Sequence, residues 1–205
     1  GHSLNVGRLS WAVAKHIGFT EKEADSVYHA GLLHDIGKIA MHNDILDNLG
    51  RLSGKEFEQI KKHPVIGARI LKPLSFLDHV AKLILHHHER FDGSGYPQGL
   101  AGEEIPLGSR IIAVCDSFDA MVSDRPNAIN FSIREALQEL EAKSGSCFDP
   151  QIVQAFAQVV EQDPGRVTPF KVPKDYFQKY RRELKEPKKK PKTLADWILK
   201  GNCGF

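Results

Sequence analysis

Apolar positions recur at helical spacing through most of the 205 residues, and the pattern predicts a chain built of helices. Apolar residues at 4, 6, 9, 11, 13, 14 and 17 give a first helix, Leu4 to Ile17, with a broad buried face, stopped by Gly18. Three capping boxes, Thr20–Glu23, Ser53–Glu56 and Ser132–Glu135, mark later helix starts. In each, the hydroxyl and the carboxylate three residues on satisfy each other's backbone amides. The first box predicts a helix to about Asp35, with Ala24, Val27, Tyr28, Gly31 and Leu32 as its apolar stripe and His34 and Asp35 on its last turn. A turn or short helix through Ile39-Ala40-Met41 then leads into a polar loop from Asn43 to Leu52. The helix opened at Ser53 breaks at His63-Pro64, because proline disfavours helix at the residue before it and suits the first turn of a new one. Further helices are predicted from Val65 to Leu71, Phe76 to His88, Pro106 to Val122, Ser132 to about Lys143, and Gln151 to Gln162 behind the N-cap pair Asp149-Pro150. Arg90 to Leu100, with three glycines and a proline, reads as a loop. No strand-like alternation exceeds four or five residues and no internal repeat is present, so the expected fold is all-α.

Composition changes this picture in three places. No apolar run approaches the ~20 residues of a membrane span, no signal peptide is visible, and Cys115, Cys147 and Cys203 are odd in number and scattered. The expectation is a cytoplasmic protein with reduced cysteines. Charge divides the chain. Residues 1–165 carry 16 basic and 22 acidic side chains, a net of −6, and residues 166–205 carry 12 and 4, a net of +8. The acidic body has no nucleic-acid footprint, and the basic stretch is a separate C-terminal extension. Finally, ten histidines are unusual, three of them consecutive at His86-His87-His88.

His34-Asp35 puts an imidazole and a carboxylate on adjacent residues, so one metal can take both or the carboxylate can reach a second. The chain keeps supplying such groups: His2, His34, Asp35, His63, His87, His88 and Asp116. Five imidazoles and two carboxylates without a thiolate suit Fe, Mn or Zn with open water positions, whereas a structural zinc site is closed by four ligands, usually with cysteine. Seven ligands exceed what one metal holds, so two or three carboxylate-bridged metals are expected. Such a site suits phosphoester hydrolysis, with Lys38 and Arg125 adding positive charge toward a phosphate. His16, His29, His42 and His79 lie at helix ends or edges and read as solvent-facing or capping groups. Asp116 and Asp119, at i and i+3, interrupt an apolar run, which predicts that Asp116 is buried and paired. His2 reads either as a ligand or as a remnant of cloning.

The order His34-Asp35-Ile36-Gly37-Lys38, His63-Pro64, His87-His88-Glu89-Arg90-Phe91-Asp92-Gly93-Ser94-Gly95-Tyr96-Pro97-Gln98-Gly99-Leu100, Ile105-Pro106, Arg110-Ile111 and Asp116-Ser117-Phe118-Asp119-Ala120 resembles the HD-GYP domain, a subgroup of the HD phosphohydrolase superfamily. The resemblance covers about residues 2–160. It implies an HD-domain-like helical bundle around a multinuclear metal site. The implied activity is that of a bacterial phosphodiesterase hydrolysing cyclic di-GMP to pGpG and GMP by attack of a metal-bridging hydroxide, with two or three Fe or Mn ions, or other divalent metals. It implies that His2, His34, Asp35, His63, His87, His88 and Asp116 are metal ligands, with Asp35 bridging. Asp35 and Lys38 are then the catalytic residues, and Lys38, Tyr96 and Arg125 the substrate contacts, Tyr96 lying over the site. The His2-Ser-x-x-Val context favours the ligand reading of His2, and His86 is expected to be exposed or to stand behind the ligands.

The sequence departs from the family in places. The position of an additional glutamate ligand seen in some members precedes residue 1, so two metals are expected from these residues. Asn127-Ala128 replaces the usual Tyr-Arg after Asp124-Arg125-Pro126. The start of the chain at a ligand-bearing helix suggests a fragment or a short protein without an upstream sensory domain. Residues 1–165 are expected to be the catalytic domain. In the 166–205 extension, Lys174 to Lys185 reads as a charged helix, Pro187 to Pro191 as a linker, and Leu194 to Leu199 as an amphipathic segment. The competing readings are an HD hydrolase of another cyclic dinucleotide or nucleotide, and an adaptor whose Gly95-Tyr96-Pro97 loop engages GGDEF-type diguanylate cyclases. Expected partners are a cyclic dinucleotide, such cyclases, and a second copy of the chain in a homodimer.

Overall fold

The computed structural model describes residues 1–41, 53–123 and 131–163. Eight α-helices lie within them: α1 (His2–His16), α2 (Glu21–Leu33), α3 (Gly54–Ile60), α4 (His63–Leu71), α5 (Asp78–Leu85), α6 (Leu107–Val122), α7 (Ile133–Ala142) and α8 (Pro150–Gln162). Short 3₁₀ turns at Ile36–Ala40, Ser75–Leu77 and Gly102–Glu104 link them. No strand occurs among the described residues, which hold a single isolated bridge between Ser144 and Phe148. The fold is all-α. No helix among these residues is long and apolar enough to cross a membrane.

Local chemistry sets the helix starts. Thr20, Ser53 and Ser132 each accept the amide of the glutamate three residues on, while that glutamate accepts the cap's own amide. Asp149 accepts the Gln151 amide at 2.8 Å ahead of Pro150, and also takes Nη1 of Arg110 at 2.6 Å.

The core is built around α6, whose Ile111, Ile112, Val114, Cys115 and Phe118 are wholly buried. Each large apolar side chain so enclosed contributes about 1.5–3 kcal/mol of transfer free energy. Helix α1 brings Val6, Leu9 and Val13, α2 brings Val27 and Ala30, and α8 brings Phe156 and Val160 to the same cluster. The Phe118 and Phe156 rings meet at 4.8 Å. Cys115 and Cys147 are both free thiols buried in this cluster.

Two helices end with their apolar stripes, short of the expected boundaries at about Asp35 and at His88. Helix α2 stops at Leu33, and Asp35 precedes the following 3₁₀ turn without a side-chain cap bond; α5 runs from Asp78 to Leu85, leaving His86–His88 in a turn. Adjacent residues on a helix point about 100° apart, and the turns that follow Leu33 and Leu85 carry His34 with Asp35, and His87 with His88, into one site.

The predicted loop 43–52, His42, Arg125, Asn127-Ala128 and the 166–205 extension with its Lys174–Lys185 and Leu194–Leu199 segments lie outside the described residues, as does Cys203.

Candidate metal centre

Four helix ends converge on one side of α6. The ends of α2 and α5 supply His34, Asp35, His87 and His88; the first turns of α4 and α1 supply His63 and His2; α6 itself supplies Asp116. Of the five imidazoles, His34, His63, His87 and His88 are buried and His2 is partly buried. One backbone contact holds the 3₁₀ turn to α4: a Cβ on Gly37 would collide with the His63 carbonyl oxygen and lie 2.7 Å from the Gly67 nitrogen. Only glycine lets the backbone beside Asp35 come this close to His63.

Three of the rings are oriented in the same way. His34, His63 and His87 each place Nδ1 against the carbonyl three residues back, Gly31 at 2.7 Å, Ile60 at 2.7 Å and Ile84 at 2.6 Å. A carbonyl only accepts, so Nδ1 carries the proton and, in the neutral ring, Nε2 presents a bare lone pair to the interior. This is the outer support typical of a metal-ligating histidine.

The lone pairs then meet one another. Nε2 of His63 lies 3.3 Å from Nε2 of His87, with no proton between them in their neutral tautomers, and 3.1 Å from Nε2 of His88. Acceptors facing at this distance repel unless a cation sits among them. Protonation is an unfavourable alternative here. Burial pushes His63 down to about 4, with the charge on Lys38 adding, and His88 down to about 3, with His63 adding. Burial also holds His87 well below the usual imidazole range. Neutral imidazoles with inward lone pairs are metal-competent at neutral pH.

A second group forms from His2, His34 and Asp35, whose ligand atoms, like those of His63, His87 and His88, all lie within 4.8 Å of one another. Asp35 joins the two groups. Its Oδ1 faces His63 Nε2 at 3.4 Å, and its Oδ2 faces His34 Nε2 at 3.5 Å and takes Lys38 Nζ at 2.8 Å. Asp116 Oδ1 lies 3.0 Å from His2 Nε2 and 3.6 Å from His34 Nε2. Burial alone would raise both carboxyls. For Asp116, the His2 hydrogen bond and the charges of His34, His2 and His88 win and hold it well below the carboxylate range. For Asp35, the charges of His34, Lys38 and His63 do the same against the repulsion of Asp116. Both stay anionic. The donor set of both groups, imidazole nitrogens with ionised carboxylate oxygens, fits divalent cations.

Residues 2–152 match the family model described as HD domain. The chain belongs to the HD-domain family. The cyclic di-GMP phosphodiesterase of Thermotoga maritima is 42% identical over 187 residues, which make up 90% of this chain and 47% of that protein. Cyclic di-GMP phosphodiesterase PA4108 of Pseudomonas aeruginosa is 43% identical over 162 residues, 78% of this chain and 38% of that protein. Among solved structures, the cyclic GMP-AMP specific phosphodiesterase V-cGAP3 of V. cholerae matches with a TM-score of 0.67 at 24% identity, covering 99% of this chain and 53% of that one. That likeness bears on the fold. The chain spans less than half the length of these two curated relatives.

The HD-domain structure brings His2, His34, Asp35, His63, His87, His88, Asp116, Lys38 and Tyr96 to one region, and Arg125 lies outside the described residues. Tyr96 approaches from the glycine-rich loop, its ring centroid 5.0 Å from that of His88. Its hydroxyl is buried without a hydrogen-bond partner, and burial first, then Asp116 and Asp35, push its ionisation upward. Lys38, with its side chain 38% exposed, stands at the open side. His86, expected to be exposed or to stand behind the ligands, is buried with Nδ1 3.7 Å from Oε1 of Glu89.

Asp119 was not among the sequence candidates. It is 2% exposed and takes Nδ1 of His2 at 2.7 Å, Nδ2 of Asn5 at 3.0 Å and the Ser123 hydroxyl at 2.9 Å. It does for His2 what backbone carbonyls do for His34, His63 and His87. Its signal was legible: a second carboxylate at i+3 in the same apolar helix has to find donors.

Proposed function

We propose that this chain is a metal-dependent phosphodiesterase domain that hydrolyses cyclic di-GMP to pGpG and GMP. The observation that carries the reading is the pair of Nε2 lone pairs on His63 and His87, 3.3 Å apart, with His63 facing the Asp35 carboxylate that also faces His34 of the second ligand group. His63, His87, His88 and Asp35 would hold one cation; His2, His34, Asp116 and the other oxygen of Asp35 would hold a second. Two Fe or Mn ions are the proposed complement. When bound, such a pair polarises the phosphodiester and lowers the pKa of water to yield a nucleophile.

The chain's own residues bind and orient. Lys38, paired to Asp35 yet partly exposed, is placed to meet a non-bridging phosphate oxygen as a point charge. Tyr96 offers an unpartnered hydroxyl beside His88 and covers one face of the site. Arg125 is proposed as a further phosphate contact, following the family pattern. The similarity to two cyclic di-GMP phosphodiesterases above 40% identity supports this substrate over another cyclic dinucleotide. We place the catalytic unit at residues 1–165, with 166–205 as an extension, and the reaction in the cytoplasm. GGDEF-type cyclases and a second copy of the chain are the proposed macromolecular partners, each testable by pull-down and light scattering.

The test is product analysis. Protein loaded anaerobically with Mn or Fe should convert cyclic di-GMP to linear pGpG and GMP, and chelation should abolish turnover until metal is restored. Turnover of 3′3′-cGAMP with cyclic di-GMP left intact would transfer the reading to that substrate, and no turnover of either with any divalent metal would end it.

A further inference from the structure

The loop from Ser94 to Leu100 has neither helix nor strand, yet it delivers Tyr96 to a defined place above His88. We infer that Glu89 is the positioning residue of this loop, holding Tyr96 over the metal centre by gripping the backbone that follows it. The inference rests on the proposed reading of Tyr96 as a substrate contact.

A carboxylate removed from water must find donors. Glu89 is 3% exposed and takes three from consecutive backbone amides: Gln98 at 2.8 Å on Oε1, and Gly99 at 3.0 Å and Leu100 at 3.2 Å on Oε2. All three lie immediately after Tyr96-Pro97, so the loop is fixed just beyond its aromatic. On the near side, the Tyr96 amide donates to the His88 carbonyl at 3.2 Å. Just before the Tyr96 anchor the backbone lies directly on the strip it is bound to, for a Cβ on Gly95 would come within 2.6 Å of the Glu89 Cα. The loop is therefore registered against the very residues that carry the imidazoles, since Glu89 follows His87-His88 without a break. His86 Nδ1 also faces the carboxylate, 3.7 Å from Oε1, but all three donors from the loop are main-chain amides, so Glu89 specifies the path of the loop and not the identity of its side chains. Its effect on substrate passes through Tyr96.

The experiment compares metal-loaded wild-type protein with Glu89→Gln, which keeps the size of the side chain but offers one acceptor oxygen where three donors converge. Hydrogen exchange followed by mass spectrometry should show the amides of residues 96–100 protected in the wild type, and that protection lowered about tenfold or more in the variant, the scale of one lost bond to a charged acceptor. The metal content should remain at two per chain. With cyclic di-GMP as substrate, KM should rise more than kcat falls. The double variant Glu89→Gln/Tyr96→Ala should be no worse than Tyr96→Ala alone, as expected of two residues acting through one contact. Additive losses, or unchanged protection in Glu89→Gln, would overturn the inference. If Glu89→Gln does not fold, wild-type exchange decides: amides 98–100 exchanging like an unstructured peptide would overturn it as well. Wild-type protein that hydrolyses nothing would sink the proposed function, and the exchange measurements would still decide whether Glu89 holds the loop.

Discussion

Replacing Asp35 with asparagine probes the junction between the two ligand groups. In the native site Oδ2 is pinned by Lys38 Nζ at 2.8 Å and faces His34, while Oδ1 faces His63 at 3.4 Å. Lys38 only donates, so the remaining oxygen of the asparagine turns toward it. The NH₂ group, which cannot bind a cation, then points at His63. The His63–His87–His88 group keeps its three nitrogens but loses its anion. Removing a mere outer-shell partner of a metal ligand costs 10–100-fold in affinity, and losing a charged ligand exceeds that. The expected result is one metal per chain where wild type binds two, by elemental analysis after anaerobic loading. Losing one of two cations forfeits several kcal/mol of charge stabilisation at the phosphate, and about 4 kcal/mol corresponds to a loss in kcat of about a thousandfold. Retention of two metals with activity within about fivefold of wild type would refute the bridging argument.

Three other outcomes follow from the geometry. Gly37→Ala forces a Cβ into the His63 carbonyl, and overpacking of this kind costs about 1–3 kcal/mol, read as a lower urea midpoint with unchanged slope. Tyr96→Phe removes a hydroxyl that has no partner in the protein, so melting temperature should hold or rise while kcat/KM falls about tenfold; a fall in melting temperature would show that the hydroxyl is already bonded. For pH, the sign follows from burial. His63 and His88 are depressed to about 4 and about 3, so below the unfolded value near 6.5 the unfolded chain binds protons that the folded chain refuses. Metal-free protein should therefore lose stability as pH falls from 6.5 toward 4, by about 3 kcal/mol for His63 at 1.36 kcal/mol per unit. Metal-free protein equally stable at pH 7 and pH 5 would contradict it.

Much of this was legible in the residues, and the exceptions have physical causes. The capping boxes at Thr20, Ser53 and Ser132 are local chemistry, and all three form. Helix ends were less legible: the helices stop at Leu33 and Leu85, where the apolar stripes run out, short of the expected ends at Asp35 and His88. The imidazoles and carboxylates that meet could be named from residue types and order, but their orientation depends on carbonyls at Gly31, Ile60 and Ile84 that carry no side-chain signature. Glu89 and Asp119 are carboxylates whose need for donors is legible while the donors themselves are not. Each sits in plain view beside a candidate ligand, and each does its work through partners, loop amides for one and His2 for the other, that only the folded chain brings near.

Crystals loaded with Mn or Fe should show, in an anomalous-difference map, two peaks about 3.5–4 Å apart, one among His63, His87 and His88, the other among His2, His34 and Asp116, with Asp35 between them. A single peak, or peaks that leave Asp35 uncoordinated, would contradict a pair of cations joined by Asp35.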